Sequence, residues 1–170
     1  FFDVITWPGS LCYTGDMGTY VFQRIEDMLQ FFRQRQVDRA DGLYINLGYW
    51  AEKVQARDRD GVKVFSPEKF ERRLREDLEA YIRDNGDDWD EGYADELRER
   101  FHDEVVRAVD DGEHEARKAA GELEVDGEAV FTDLWEYDFT ECTCRFVWCC
   151  YALAWAVKQY DAEKATEVPA

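Results

Sequence analysis

The sequence predicts an α+β fold in which an antiparallel sheet packs on a buried C-terminal helix and acidic helices lie on the outside. Three observations lead to this prediction. Short apolar segments separated by turn residues fill the first 65 residues, an acidic stretch with helical periodicity follows, and a long apolar segment lies near the C-terminus. With 170 residues, 45% of them apolar and 15% aromatic, the chain is large enough to form a core. We expect a single domain over residues 1–170.

The first part of the chain predicts a small antiparallel meander. Its three strands are expected at residues 1–7, 11–14 and 19–23. Pro8-Gly9-Ser10 supplies the first turn. A hairpin is expected at residues 53–65, where Asp58-Arg59-Asp60-Gly61 separates two alternating segments. Because the chain opens at Phe1 within a predicted strand and without an initiator Met, we also expect residues to precede it.

Helical periodicity recurs through the rest of the chain. The predicted helices lie at residues 26–34, 67–83, 90–111, 113–122 and 143–160. Ser66 is the expected N-cap of the second helix, with Pro67 at its first position. The last helix is apolar around its whole circumference, which predicts burial on most sides. The remaining segments are expected to be irregular at 36–51, a last strand at 129–139 and a frayed tail at 161–170.

These elements group into four regions along the predicted domain. They are a mainly β region with one helix (1–65), an acidic helical region (66–128), a strand followed by the buried helix (129–160) and the tail (161–170). The charge is concentrated in the second region. Residues 84–128 contain 18 acidic and five basic side chains, net −13 of the −18 carried by the chain. Such a region repels nucleic acid and anionic membranes and attracts proteins that hold polyanions.

Six acidic residues of the third predicted helix form a candidate partner-binding face. They are Asp95, Glu96, Glu99, Asp103, Asp110 and Asp111. At about 100° per residue, one stripe opposite the apolar Phe101 contains Asp95, Glu99, Asp103 and Asp110, with Glu96 beside it, and no lysine is placed to relieve the repulsion. Successive members are about 6 Å apart along the axis, similar to adjacent phosphates on a nucleic-acid strand. Two interpretations remain open: a surface that mimics DNA, and a solvated face of an acidic protein.

The cysteines do not predict a disulfide framework or a metal site. They are Cys12, Cys142, Cys144, Cys149 and Cys150. The number is odd, no signal peptide is visible, and the last four are set in or beside an apolar helix. We therefore expect reduced thiols that lie in the core of a cytoplasmic protein. The apolar run at 146–157 is too short to span a bilayer.

Other candidate sites are weaker. His102 and His114 lie among carboxylates that could hold a divalent cation, but their 12-residue spacing fits no compact ligand motif, so we expect surface histidines. Asp16, between Gly15 and Gly18, could be an acid in a pocket near the loop at 46–50, although turn chemistry explains it as well.

Four segments resemble a family of small acidic proteins encoded by bacteriophages and prophages. These are WPGSLCYTGDMGTYVFQR (7–24), INLGYWAE (45–52), SPEKF (66–70) and RFVWCCYALAWAVKQY (145–160). The resemblance covers most of the chain and implies an accessory role inside an infected bacterium. It assigns no catalytic residues.

Together these features predict a non-enzymatic protein with no catalytic residue, metal or cofactor. We expect it to inhibit a host defence complex, such as a CRISPR or restriction system, or another nucleic-acid-handling complex in the host cytoplasm. Its acidic face would bind a basic protein surface, with no direct contact to nucleic acid or membrane, and an oligomer is possible. Two alternatives stay open: a small metal-dependent enzyme that uses carboxylates such as Asp16 or those near His102, and a structural or oligomerising phage protein.

Overall fold

The computed structural model describes residues 1–33, 43 and 45–167. The fold is α+β, as the sequence predicts. The chain forms two compact units: unit 1 comprises residues 1–64 and 142–170, and unit 2 comprises residues 65–141. The single domain expected from the sequence stays a prediction. Residues 34–42, 44 and 168–170 lie outside the described residues; they include the end of the helix expected at 26–34, part of the segment expected to be irregular (36–42 and 44) and the end of the expected tail. The rest of that tail was expected to be frayed, but residues 161–167 belong to the C-terminal helix.

Unit 1 is built on a four-stranded antiparallel sheet with strand order β1-β2-β3-β4. Its elements are β1 (Phe2–Trp7), β2 (Ser10–Gly15), β3 (Gly18–Gln23), α1 (Met28–Phe32), α2 (Leu47–Ala51), β4 (Val54–Arg57) and the C-terminal helix, which is numbered α6 (Cys144–Glu167). The predicted meander is confirmed. Residues 47–51 were expected to be irregular but are helical, because the Asn46 side chain caps the helix by accepting from the Tyr49 N–H at 3.1 Å.

Unit 2 is mainly helical. Its elements are α3 (Pro67–Asn85), α4 (Tyr93–Arg100), α5 (Glu113–Glu122) and the two-stranded hairpin of β6 (Glu124–Val125) and β7 (Glu128–Ala129). The Ser66 hydroxyl caps α3 by accepting from the Lys69 N–H at 3.4 Å, as the sequence predicts. The chain passes from unit 1 to unit 2 within β5 (Lys63–Phe65) and returns through β8 (Thr140–Cys142), and these two strands pair with each other.

Two strand predictions are wrong. The hairpin expected at 53–65 does not form, because β4 pairs with β3 and β5 pairs with β8. The turn beside Gly61 instead directs the chain towards the start of α6, where the Thr143 N–H donates to the Val62 carbonyl at 2.9 Å. The single strand expected at 129–139 is replaced by β7 and a short 3-10 turn at Leu134–Glu136.

The core of unit 1 lies between the sheet and α6. Phe146 on α6 contacts Tyr20 and Phe22 of β3, with ring centroids 5.3 and 6.3 Å apart. The buried α6 side chains are Phe146, Cys149, Cys150, Ala152, Leu153, Ala154 and Val157. The prediction that α6 packs on the sheet is confirmed. The expected burial on most sides is wrong, because aromatic side chains on its other side are exposed.

Tyr13 and Tyr20 are opposite each other on β2 and β3, and both are fully buried. Burial raises the pKa of each phenol. The Tyr20 hydroxyl donates to the Gly61 carbonyl at 3.1 Å. The Tyr13 hydroxyl lies beside the Cys149 side chain but meets the geometric criteria for a hydrogen bond with none of the described residues. The Cys149 thiol donates to the Met17 carbonyl at 3.6 Å.

Because Tyr20 has a hydrogen-bond partner and Tyr13 has none within the described ranges, we expect the same substitution to have different effects at the two positions. Tyr20→Phe should lower the free energy of unfolding by about 1 kcal/mol, because it removes a buried hydrogen bond. Tyr13→Phe should leave that free energy unchanged or raise it, because a buried hydroxyl without a partner costs free energy. Urea denaturation of both variants measures the difference. Equal destabilisation by the two substitutions would show that Tyr13 makes a hydrogen bond of similar strength.

Candidate functional site: the acidic surface of unit 2

The negative charge of the chain belongs almost entirely to unit 2. Residues 65–141 contain 27 acidic and 10 basic residues, a net charge of −17. Unit 1 contains 12 acidic and 11 basic residues, a net charge of −1. The uneven distribution along the sequence therefore coincides with the boundary between the two compact units.

The helical segment from Tyr93 to Asp111 presents its acidic residues to solvent because its apolar residues are held in the core of unit 2. Leu97, Phe101 and Val105 recur every four residues and are buried with α3 and α5 side chains in one cluster. The six predicted site residues are all exposed. We call these six (Asp95, Glu96, Glu99, Asp103, Asp110 and Asp111) the acidic surface.

The segment is not the regular α-helix from which the stripe was predicted. After α4, residues Phe101–Val106 form a π-helical turn, in which the Arg107 N–H donates to the carbonyl of His102, five residues before it. A 3-10 turn at Arg107–Asp111 follows and ends at Gly112, whose φ is +107°. Only Asp95, Glu96 and Glu99 lie within α4. Asp103 lies in the π turn and Asp110 and Asp111 lie in the 3-10 turn, so the regular spacing of about 6 Å does not extend along the whole segment.

Two carboxylates of the acidic surface form ion pairs with arginines, which the sequence analysis did not anticipate. Asp95 lies 2.8 Å from Arg98, and Asp103 lies 3.1 Å from Arg107. The other four, Glu96, Glu99, Asp110 and Asp111, have no ion pair or side-chain hydrogen bond with any residue in the described ranges. These four carboxylates are free to meet a cationic surface.

Arginines of this region hold unit 2 together. Arg98 on α4 donates twice to the Glu79 carboxylate on α3, at 2.8 Å each, and contacts Asp95 as well. These bonds to Glu79 raise the pKa of the Arg98 guanidinium and lower the pKa of Glu79. The arginine therefore links two helices of the unit, and it is already occupied by intramolecular partners.

Arg117 on α5 has a similar role in the C-terminal part of unit 2. Its guanidinium donates to Glu113 at 2.9 Å and to the backbone carbonyls of Leu134 and Tyr137 at 2.6 and 3.2 Å. It also lies 4.7 Å above the ring of Phe139. These contacts fix the irregular segment that follows β7. This part of the unit that carries the acidic surface is therefore ordered.

The weaker candidate sites are not assembled into a catalytic or metal-binding arrangement by the described residues. His102 and His114 are both exposed, and His102 Nδ1 lies 3.3 Å from Asp103. Asp16 is exposed, and its carboxylate accepts from the Phe1 amino group at 2.7 Å. Within the described part of the chain, no cluster of three or more His, Cys, Asp or Glu side chains could hold a metal ion.

The cysteines lie in unit 1 and are all free thiols. Cys149 and Cys150 are buried as expected, and burial raises the pKa of Cys149 to about 11 and also raises that of Cys150. Cys142 is half-buried against the core. The expectation that Cys144 is a core residue is wrong: it is the first residue of α6, before the helix meets the sheet, and it is exposed.

A second surface, in unit 1, was missed by the sequence analysis. Trp148, Tyr151 and Trp155 on α6 are 43%, 46% and 51% exposed, and together with Phe2 of β1 they line an apolar cleft of about 290 Å³. The spacing i, i+3, i+7 of these large aromatics was visible in the sequence. This spacing did not stand out in the sequence, because the opposite side of α6 is equally apolar. We call these four residues the aromatic surface.

The chain has no match in the comparisons with known proteins: no family model, no curated protein and no solved structure matches it. In addition, no helix within the described ranges combines the length and the apolar character needed to cross a membrane.

Arg98 and Arg107 provide a test of what holds unit 2 together. Arg98→Met should lower the free energy of unfolding by about 1 kcal/mol, because it removes a bidentate link to Glu79 and the contact to Asp95. Arg107→Met changes the net charge equally but removes one exposed ion pair, so it should cost less than about 0.5 kcal/mol. Thermal melts at low ionic strength compare the two. Similar losses would mean that net charge, and not the Glu79 link, controls the stability.

Thiol alkylation tests the assignment of the cysteines. In the native protein at neutral pH, Cys144 should react rapidly with iodoacetamide, whereas Cys149 and Cys150 should be protected by burial and by their raised pKa values. Urea should abolish the difference. Mass spectrometry of the labelled peptides gives the rate for each residue, and comparable native rates at Cys144 and Cys149 would contradict the packing described for α6.

Proposed function

We propose that the protein is a non-enzymatic binding protein whose acidic unit occupies the nucleic-acid-binding surface of another protein. The observation that carries this proposal is the confinement of a net charge of −17 to unit 2, with four exposed carboxylates of the acidic surface unpaired among the described residues. A merely soluble acidic protein has no need to keep its other unit near neutrality. A surface that binds a polycationic protein does need a dense patch of charge that is not neutralised within the protein.

The irregular helix decides what kind of mimicry is proposed. Since regular α-helical spacing ends at Arg100, the proposed mimicry rests on the sign of the charge and not on a repeated phosphate spacing. Lysine and arginine side chains of a binding groove adapt to such a surface because their stems are flexible. The interaction is therefore driven by many screened charge contacts, and ionic strength weakens it steeply.

The proposed partner is a host defence complex, such as a CRISPR or restriction system, or another nucleic-acid-handling complex in the cytoplasm of an infected bacterium. The resemblance to phage and prophage proteins supports this setting, and the charge supports a basic groove as the target. No observation favours the metal-dependent enzyme. The cavity of about 470 Å³ beside α2 and β4 has one carboxylate among its lining residues, Glu52, and that group pairs with Lys53 at 2.9 Å.

A displacement experiment tests the proposal. Bacterial lysate is loaded on DNA-cellulose, and the purified protein is applied as eluent at low salt. We expect it to release a specific set of DNA-binding proteins and to form a complex with at least one of them in purified form. The affinity should fall tenfold or more between about 50 and 200 mM salt, because many charge contacts are screened together.

Two charge-matched double variants provide the control. Glu99→Lys with Asp110→Lys changes two unpaired carboxylates of the acidic surface, and Glu26→Lys with Glu163→Lys changes two exposed carboxylates of unit 1. Both change the net charge by the same amount. The first variant should lose displacement and the second should keep it, while both remain folded. Equal displacement by the two variants, or none by the unchanged protein, would refute the proposal.

A further inference from the structure

We propose that unit 1 binds a second copy of the same chain through β1, so that two four-stranded sheets join into one continuous antiparallel sheet. This dimer is independent of the acidic surface and of the function proposed for it. It rests on the outward-facing backbone groups of β1, which have no partner among the described residues, on the small number of features that protect this edge, and on the aromatic surface beside the strand.

The backbone of β1 has outward-facing groups that no described residue pairs. β1 is at one end of the strand order, with β2 as its neighbour. The Asp16 N–H donates to the Phe1 carbonyl at 3.1 Å, which makes these two residues a hydrogen-bonded pair. Because such pairs alternate along an antiparallel ladder, Asp3, Ile5 and Trp7 also direct their backbone groups to β2. The N–H and C=O groups of Phe2, Val4 and Thr6 consequently point away from the sheet.

β1 also has few of the features by which sheet edges usually avoid pairing. Protected edges are short or bulged, or carry charged side chains or proline. β1 has six residues in an unbroken register with β2, and its one charged side chain is Asp3. The opposite edge strand, β4, has four residues and carries Arg57. Its pairing with β3 is interrupted by a register shift between Val21 and Phe22. The two edges of the same sheet are therefore different, and β1 is the one suited to pairing.

The geometry of β1 selects one symmetric pairing. An antiparallel pair centred on Val4 places Phe2 opposite Thr6 of the second copy and uses all three outward-facing residues, giving six hydrogen bonds. A pair centred on Ile5 would use Val4 and Thr6 alone, because the next outward position is Pro8, which has no N–H. The two-fold axis is then perpendicular to the sheet, and the α6 helices of both copies lie on the same face.

The aromatic surface adjoins this edge. Phe2 contacts Trp148 and Trp155 edge to face, with ring centroids 5.9 and 6.3 Å apart. Pairing through β1 brings the aromatic surfaces of the two copies to the same side of the joined sheet. At about 150–250 Å² per aromatic side chain, the exposed parts of Trp148, Tyr151 and Trp155, which lie on that side, amount to about 200–350 Å² per copy. The strand backbone adds to this area, and the interface stays smaller than the roughly 800 Å² per partner of a standard interface.

The charge of unit 1 permits a second copy as the occupant. Unit 1 has a net charge of −1, so one unit 1 does not strongly repel another, and the repulsion between two chains comes from the net charge of −17 on unit 2. Asp3 would lie opposite Ile5 of the second copy on the solvent-facing side of the sheet, where its carboxylate stays hydrated. The pairing therefore leaves no charge buried without a partner.

Sedimentation and light scattering of the purified chain test the dimer. Because small interfaces associate more weakly than standard ones, we expect a monomer–dimer equilibrium between about 1 and 100 µM. Thr6→Pro removes one outward N–H per copy and should weaken the dimer at least tenfold. Thr6→Ala also removes the side-chain hydrogen bond to Ser10 but keeps the N–H, so it should leave the dimer unchanged.

A second pair of variants tests the dimer independently, in case Thr6→Pro prevents folding. Trp155→Glu places a charge in the aromatic surface and should dissociate the dimer, whereas Trp135→Glu, at a 78% exposed tryptophan of unit 2, should not. Circular dichroism checks that each variant is folded. If the chain stays monomeric throughout the concentration range, the proposal is wrong, and β1 would instead pair with a strand from a different protein. A dimer that is insensitive to both Thr6→Pro and Trp155→Glu also overturns it.

Discussion

Unit 2 depends on the burial of the apolar side of α3 against the segment 93–111 and α5. This contact has to offset the mutual repulsion of a net charge of −17. Fourteen buried residues form the cluster, and each large side chain contributes about 1.5–3 kcal/mol, whereas an exposed ion pair contributes about 1 kcal/mol at most. The core therefore carries the stability, and the arginines orient the helices. That division allows carboxylates to remain unpaired on the outside without unfolding the unit.

The sequence was a good guide wherever local chemistry decides the structure. The meander follows from Pro8-Gly9-Ser10 and the glycines of the next turn, and the start of α3 follows from Ser66 and Pro67. The exposure of the six acidic residues also follows from the four-residue spacing of Leu97, Phe101 and Val105, which survives the change of helix type. In each case, neighbours within a few residues determine the outcome.

Long-range contacts decided the features that the sequence did not predict. Local chemistry favours a hairpin at Asp58-Arg59-Asp60-Gly61, but β4 pairs with β3 instead, and the segment after Gly61 is held by Thr143. The π turn at Phe101–Val106 has no sequence signature, so the change of helix type could not be predicted from the pattern. Arg98 and Glu79, which link α4 to α3, are 19 residues apart, and the burial of one side of α6 depends on strands β2 and β3, more than 100 residues earlier.

The insertion of unit 2 between two parts of unit 1 constrains the order of events during synthesis. The strands β1 to β4 emerge first, but Phe146, Leu153 and Val157 of their core arrive only after all of unit 2 has been made. At roughly 5–20 residues per second, the 77 residues of unit 2 delay that moment by about 4 to 16 s. Unit 2 has its complete core by then. On a ribosome, the acidic unit can thus become compact while the apolar face of the meander is not yet covered by α6.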